Sequence, residues 1–360
     1  MKNAPFNLRL QKLSLWVVIS SVSFFVGCST PTTPPSVAQS NWTIFPSEFY
    51  FLKNGTPLYE GNFHTNLWKD HRIYSVNPLR YYEFDDSFKL VFDSVLLFDH
   101  TNTGQGPVIS GILSMCFNAD KTQILCVKTN KWYGGNLQEI NLASLSIKEL
   151  LDTSNNVAMA RYISDDTIVY YSYGSYSASN TNPPDAGYYL FVRGNGSKEL
   201  LLQYISSLGP GELRNGFDIH PDHSCLIIPS VCYNRAPIVF EFNLRTRKQD
   251  TLPLIFNTSY NRWCLFLRYN HDGSKILYSS YPRNSFGETG YDDSEVGIID
   301  KATFVKTVLG TDPYPQYASA ICLFPEWSPD EKSIVYGSNP ISNDGFLSTS
   351  YRPTILKSIY

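Results

Sequence analysis

Six times along the chain an Asp-centred polar turn leads into an apolar triplet. The fullest copies are residues 262–272 (RWCLFLRYNHD) and 320–330 (AICLFPEWSPD), which share Cys-Leu-Phe, two residues, an aromatic, Asn or Ser, one residue and Asp. Ile276-Leu277-Tyr278 and Ile334-Val335-Tyr336 follow them, and Asn118-Ala-Asp120 leads to Ile124-Leu125-Cys126 with the same offset. His220-Pro-Asp222 leads likewise to Leu226-Ile227-Ile228, with weaker copies at Asp165 before Ile168-Val169-Tyr170 and Asp70 before Ile73-Tyr74. The six Asp residues, 70, 120, 165, 222, 272 and 330, are spaced 50, 45, 57, 50 and 58 apart. Each copy predicts a strand, a polar turn and a second strand, because Asp, Asn or Gly caps its own backbone or tolerates the left-handed region.

Between these turns a second pattern recurs: two strand-like runs around a short polar turn, at 81–92, 137–150, 188–201, 239–252 and 296–309. Gly194-Asn195-Gly196 and Thr246-Arg247-Lys248 typify the turns. Leu142, Leu145 and Leu150 carry a helix-like spacing, but the matching segments of the other repeats predict strands there too. The unit is therefore four strands in about 50 residues. Such units cannot bury their faces singly, and a radial arrangement protects their edges. The expected fold is all-β: a six-bladed β-propeller of four-stranded antiparallel blades. The sixth unit runs from Trp327 and gains only a third strand in 351–360, so residues 42–60 are expected to supply its outer strand. The ring would then be closed by an N-terminal strand joining the C-terminal blade.

The first residues follow another pattern. Lys2, Arg9 and Lys12 precede the apolar run LSLWVVISSVSFFVG at 13–27. That run is shorter than the ~20 residues of a membrane-spanning helix, and the order of charge and apolar core is that of an export signal. Phe25-Val26-Gly27-Cys28 resembles the lipobox of bacterial lipoproteins, with Phe25 where that family more often has Leu. The resemblance implies cleavage before Cys28 and lipidation at Cys28, in which several acyl chains anchor stably at roughly 0.8 kcal/mol per buried CH₂. The expected organisation is a signal peptide at 1–27, a Pro/Thr/Ser tether at 28–40 and a propeller at 41–360.

A wider resemblance concerns the repeats. Ser328-Pro-Asp330-Glu-Lys-Ser-Ile-Val-Tyr336 resembles the strand-turn-strand motif of TolB-like propellers. Gly104-Gln-Gly-Pro107 and Leu208-Gly-Pro-Gly-Glu212 resemble the GxGPGE-type connectors of TolB-like six-bladed lipoproteins of Bacteroidetes. Across most of 42–360 this implies an outer-membrane propeller, facing the periplasm or the cell surface, in families whose roles are largely unassigned. TolB itself carries an additional N-terminal domain, whereas here a short tether precedes the strands.

Composition narrows the partners. With 29 Lys and Arg against 32 Asp and Glu, the net charge of −3 gives no basic surface for nucleic acid. Six cysteines besides Cys28 (116, 126, 225, 232, 264 and 322) leave 15 pairings open; none forms a CxxC pair, and their apolar surroundings favour buried thiols. No GxSxG, HExxH, P-loop or GxGxxG motif occurs, so no enzyme class, cofactor or metal is expected. His220 and His223 flank a repeat turn, and Asp85-Asp86 and Asp292-Asp293 read as solvated loop residues.

In a blade the first-to-second and third-to-fourth strand turns share one face, and the second-to-third loops emerge on the other. The Asp turns are short and alike, so their face is expected to be structural. The opposite loops vary in length and sequence, and binding usually resides in such loops. Candidate binding residues there are Trp132, Tyr133, Tyr173 and Tyr176, with Tyr233 and Arg235 from the next loop. Tyr281, Arg283, Phe286 and Tyr291 belong to 281–294, and Tyr314 and Tyr317 join from a connector. Tyr and Trp offer flat faces with a polar handle. The expected function is non-enzymatic binding of a protein or peptide; the alternatives are glycan binding or, further off, a propeller lyase or glycosidase.

Overall fold

A computed structural model describes residues 42–44, 66–75, 79–85, 90–97, 111–129, 134–175, 184–203, 217–230, 238–253, 261–283, 295–310, 320–340 and 352–358. These form six four-stranded antiparallel sheets. The first contains β2 (Asn66–Lys69), β3 (Arg72–Ser75), β4 (Leu79–Phe84) and β5 (Leu90–Leu97). The second contains β6 (Gly111–Phe117), β7 (Gln123–Thr129), β8 (Asn136–Asn141) and β9 (Ile147–Leu151). β10 (Val157–Ser164), β11 (Thr167–Ser172), β12 (Gly187–Val192) and β13 (Ser197–Gln203) make the third. The fourth is β14 (Asp218–Ile219), β15 (Cys225–Ser230), β16 (Ile238–Asn243) and β17 (Gln249–Leu252). The fifth is β18 (Asn261–Tyr269), β19 (Lys275–Arg283), β20 (Glu295–Asp300) and β21 (Lys306–Gly310). The sixth is β22 (Ala320–Trp327), β23 (Ser333–Pro340) and β24 (Arg352–Ser358), with β1 (Trp42–Ile44) paired to β24.

Every sheet is a meander, and the first strands of successive sheets are neighbours: β2 with β6, β6 with β10, β10 with β14, β14 with β18, β18 with β22, and β22 with β2. The molecule is an all-β propeller with four-stranded antiparallel blades. The run around Leu145 forms β9, as the neighbouring repeats predict. Two boundaries differ from the sequence reading. The last blade begins at Ala320 rather than Trp327, its pairing interrupted between Leu323 and Glu326, where Pro325 supplies no backbone donor. Tyr281 and Arg283, expected in a loop, end β19, opposite Trp263 and Asn261.

Four of the six Asp turns cap themselves as predicted. Asp120, Asp222, Asp272 and Asp330 each accept, through Oδ1, the N–H two residues on, at 3.0, 2.8, 2.8 and 3.1 Å. The left-handed residue in these turns is the one after Asp: Lys121, His223, Gly273 and Glu331, with φ of 55, 61, 75 and 58°. Gly273 is required twice over, because a Cβ there would also collide with the His220 ring of the preceding blade.

Blade-to-blade packing makes the core. Leu277, Val296 and Leu309 of the fifth blade meet Trp327, Ile334 and Tyr336 of the sixth. Comparable clusters join the first blade to the second, the second to the third, the third to the fourth and the fourth to the fifth. A blade flanked on both sides buries both faces of its second strand. The triplets are therefore continuously apolar instead of alternating: Ile276, Leu277 and Tyr278 are fully buried, as are Ile334, Val335 and Tyr336.

A candidate binding cavity at the Asp-turn end

Four residues before the Asp of each turn, the repeat places Asn66, Cys116, Arg161, Asp218, Arg268 and Glu326. All lie on the first strands, which neighbour one another around the molecule. The last five line a cavity of about 280 Å³ at the Asp-turn end, together with Trp68, Tyr162, Tyr269, Trp327 and the turn residues Lys121, His220, His223 and His271.

Charges alternate through this ring from the third blade to the sixth. Arg161 Nε lies 3.6 Å from Asp218 Oδ1, and Arg268 Nε lies 3.4 Å from Glu326 Oε2. Arg161 Nη1 donates to Met115 O at 2.9 Å and Ser114 Oγ at 3.3 Å in the second blade, and to Ala160 O at 3.0 Å in its own. Arg268 Nη1 donates to Leu267 O at 2.9 Å, and Asp218 Oδ2 accepts the Tyr269 N–H at 2.9 Å. Burial, then the nearby Arg268 charge, pulls the Arg161 guanidinium below its ordinary pKa. Burial pushes the Glu326 carboxyl up to about 7, with the Asp218 charge adding to the shift and Arg268 and Arg161 opposing it.

The next position along the strand tethers the cavity wall. Tyr162 Oη donates to Glu139 Oε1 in the preceding blade, and Arg193 Nη2 holds Glu139 Oε2 at 2.8 Å. Two blades on, Tyr269 Oη donates to Glu241 Oε1 at 2.6 Å, which Lys301 Nζ also meets at 2.7 Å. Burial, ahead of these carboxylates, pushes both tyrosine hydroxyls well above their usual range. The rim is latched as well. Lys69 Nζ donates to Lys121 O at 2.8 Å, His271 Nδ1 is 3.2 Å from Glu331 Oε1, and the His220 ring sits edge-on to Tyr269 at 4.9 Å.

Glu326 supplies a pH test. Its folded pKa lies above the 4.5 of an unperturbed glutamate carboxyl, so between those pH values the folded state binds more protons than the unfolded one. Stability then falls as pH rises through that window. Replacing Glu326 with Gln is expected to remove this component, so that stability no longer falls across that window. Melting temperatures of both proteins from pH 5 to pH 8 check it; parallel curves would refute the assignment.

The Asp-turn end, which the sequence reading took as structural, carries a charged cavity that this reading did not foresee. Its charged ring escaped notice because repeats are found by likeness, whereas the position four before Asp differs in kind between blades. Aligning the turns and reading that one column exposes Arg, Asp, Arg and Glu in succession. Of the loop candidates, Tyr173 is half-buried, its ring edge-on to Tyr171 at 5.4 Å and packed against the cluster between the third and fourth blades. The backbones of Tyr281 and Arg283 lie in β19, while their side chains lie outside the described residues. Cys28, Trp132, Tyr133, Tyr176, Tyr233, Arg235, Phe286, Tyr291, Tyr314 and Tyr317 also lie outside them, as does the Asp292-Asp293 pair. Asp85 is exposed just after β4. Among the described residues no three His, Cys, Asp or Glu side chains gather as a metal-binding set. Cys116, Cys126 and Cys225 are free thiols, and burial pushes Cys126 up to about 12.

No family model matches the chain, and no curated protein sequence matches it. Solved structures do. TolB from Acinetobacter baumannii superposes with a TM-score of 0.51 at 15% identity, over 85% of this chain and 66% of that one. The WD40 repeats of RRP9 superpose with a TM-score of 0.52 at 9% identity, over 91% of this chain and 99% of that one. An oligogalacturonate lyase in complex with manganese gives a TM-score of 0.47 at 13% identity, over 82% of this chain and 76% of that one. This chain spans just under two thirds of the TolB chain's length. At such identities the likeness to TolB and to the WD40 repeats establishes the fold: this chain is a β-propeller.

Proposed function

We propose that the protein is a non-enzymatic binding propeller of the bacterial envelope, anchored to the outer membrane by lipid at Cys28 and engaging a protein or peptide partner. The carrying observation is the cavity at the Asp-turn end, where one strand from each blade contributes to a single opening. Its charged groups bridge blades, as Arg161 does from the second to the fourth. That arrangement holds a recognition surface rigid, which is the asset of a binder. The fold shared with TolB and with WD40 repeats supports a propeller built for interaction.

In this reading the six sheets are the full set of blades, and β1 on β24 joins the two ends of the chain into a closed ring. Deleting residues 41–60 exposes the edge of β24 and is expected to lower the melting temperature by about 5 °C; an unchanged melt would exclude that closure. Affinity capture from envelope extracts, set beside a glycan array on the same purified protein, tests the function. A specifically retained protein with a blank array is expected; a sugar hit with no retained protein would replace this reading with glycan binding. In fractionated cells, Cys28→Ser is expected to leave the membrane fraction, and its retention there would refute the lipid anchor.

A further inference from the structure

We infer that the cavity at the Asp-turn end takes a carboxylate presented by an acidic peptide, as a side chain or a C-terminus, held between Arg161 and Arg268. The inference rests on the binding-propeller reading and names what that site recognises.

The two arginines are 6% and 8% exposed, yet neither is satisfied by its neighbouring acid. A fully engaged Arg–carboxylate pair brings N and O to about 2.7–2.9 Å, commonly through two parallel bonds. Here the approaches are 3.6 and 3.4 Å, each through Nε alone. The hydrogen bonds of Arg161 and Arg268 to described residues all run through Nη1. Both side chains line the cavity. With both ion pairs longer than that, an arriving carboxylate would supply two oxygens in the geometry guanidinium groups favour.

The charge balance has the same sense. Lys121, Arg161 and Arg268 face two carboxylates, Asp218 and Glu326, with His220, His223, His271 and the Cys116 thiol completing the titratable lining. Glu326, whose carboxyl is pushed up to about 7, carries only part of its charge near neutrality. An incoming anion favours its protonated form further, so ligand and proton are taken up together and binding weakens as pH rises.

Size and surface select the peptide. At about 280 Å³ the cavity lies at the lower edge of ligand pockets, roughly 300–1,000 Å³, and admits a chain tip rather than an extended sugar. Trp68 and Trp327 are each 6% exposed, and the Tyr162 and Tyr269 hydroxyls are committed to Glu139 and Glu241. The two indoles therefore leave little ring face for a sugar to stack on.

The test is calorimetry on the full chain in detergent with three probes: a short acetylated peptide ending in glutamate, its glutamine-amide counterpart, and a galacturonate trimer. The acidic peptide is expected to bind at least about tenfold more tightly than the amide, and more tightly at pH 6 than at pH 8. Arg268→Met and Arg161→Met are expected to weaken it about 10- to 100-fold, while the near-isosteric Glu326→Gln flattens the pH dependence. Equal binding of acid and amide, indifference to Arg268→Met, binding of neither peptide, or binding of the galacturonate trimer alone would each overturn the inference. The peptide comparison on the unsubstituted protein needs no variant to fold. A captured partner that binds the arginine variants undiminished overturns the carboxylate inference alone, leaving the binding-propeller reading intact. A sugar hit without any protein partner removes that reading itself.

Discussion

Replacing Asp218 with alanine is expected to cost about 3–5 kcal/mol at neutral pH, a fall in melting temperature of roughly 6–20 °C. The residue does two things at a blade junction. Its Oδ2 accepts the Tyr269 N–H at 2.9 Å, and its Oδ1 is the counter-charge 3.6 Å from Arg161 Nε. The Arg161 side chain is 7% exposed, so little of it meets water when the carboxylate is lost. Truncation therefore strands a buried cation and a backbone donor together, and that loss exceeds the net worth of the pair. Asp218→Asn keeps an acceptor but loses the charge, and is expected to fall between. Combining Asp218→Leu with Arg161→Met is expected to recover most of the loss, because no uncompensated charge remains. A loss below about 1 kcal/mol in Asp218→Ala would mean that water or other groups already neutralise Arg161.

The second large effect comes from Leu277, at the junction of the fifth and sixth blades. Leu277→Ala is expected to destabilise by about 3–5 kcal/mol, read from denaturant midpoints at unchanged slope. Leu277 is fully buried, between Val296 and Leu309 on its own blade and Trp327, Ile334 and Tyr336 on the next. Because apolar strands press on it from both sides, the hole has little room to collapse, and the cavity penalty adds to the lost transfer energy. Leu277→Met conserves volume and is expected to cost less than about 1.5 kcal/mol. Leu200→Ala is the control: 44% exposed on β13, it is expected to stay within about 0.5 kcal/mol. Similar losses at Leu277 and Leu200 would contradict a core built between blades.

The sites of these two effects differ in how far they can be read in advance. Leu277 stands in a triplet that repeats with its turn, so its burial is legible from pattern alone. The same holds for Ile124, Ile168, Leu226 and Ile334, all fully buried. The hairpin turns were equally readable. Asn141 and Asn243 accept N–H groups two and three residues on, and Asp300 the one three residues on. Local chemistry decides such features, and local chemistry is written in neighbouring residues. Asp218 belongs to the other kind. It stands between Phe217 and Ile219, and nothing beside it in the chain says that Arg161 lies next to it.

The sequence by itself determined the strand-turn-strand unit, its four-strand repeat and the all-β class, because a period of burial and a self-capping Asp act over a few residues. It also carried the charged-then-apolar order of the first residues and the near-even charge balance. Only the tertiary structure decided where polar groups meet. Arg161 and Asp218 are 57 positions apart and Asn270 and Glu331 are 61 apart, and each pair meets because adjacent blades set their first strands and Asp turns side by side. Repetition fixes that geometry for every blade alike, while the residue placed there is free to differ. The charged ring of the cavity is therefore made by a position at which the repeats do not resemble one another.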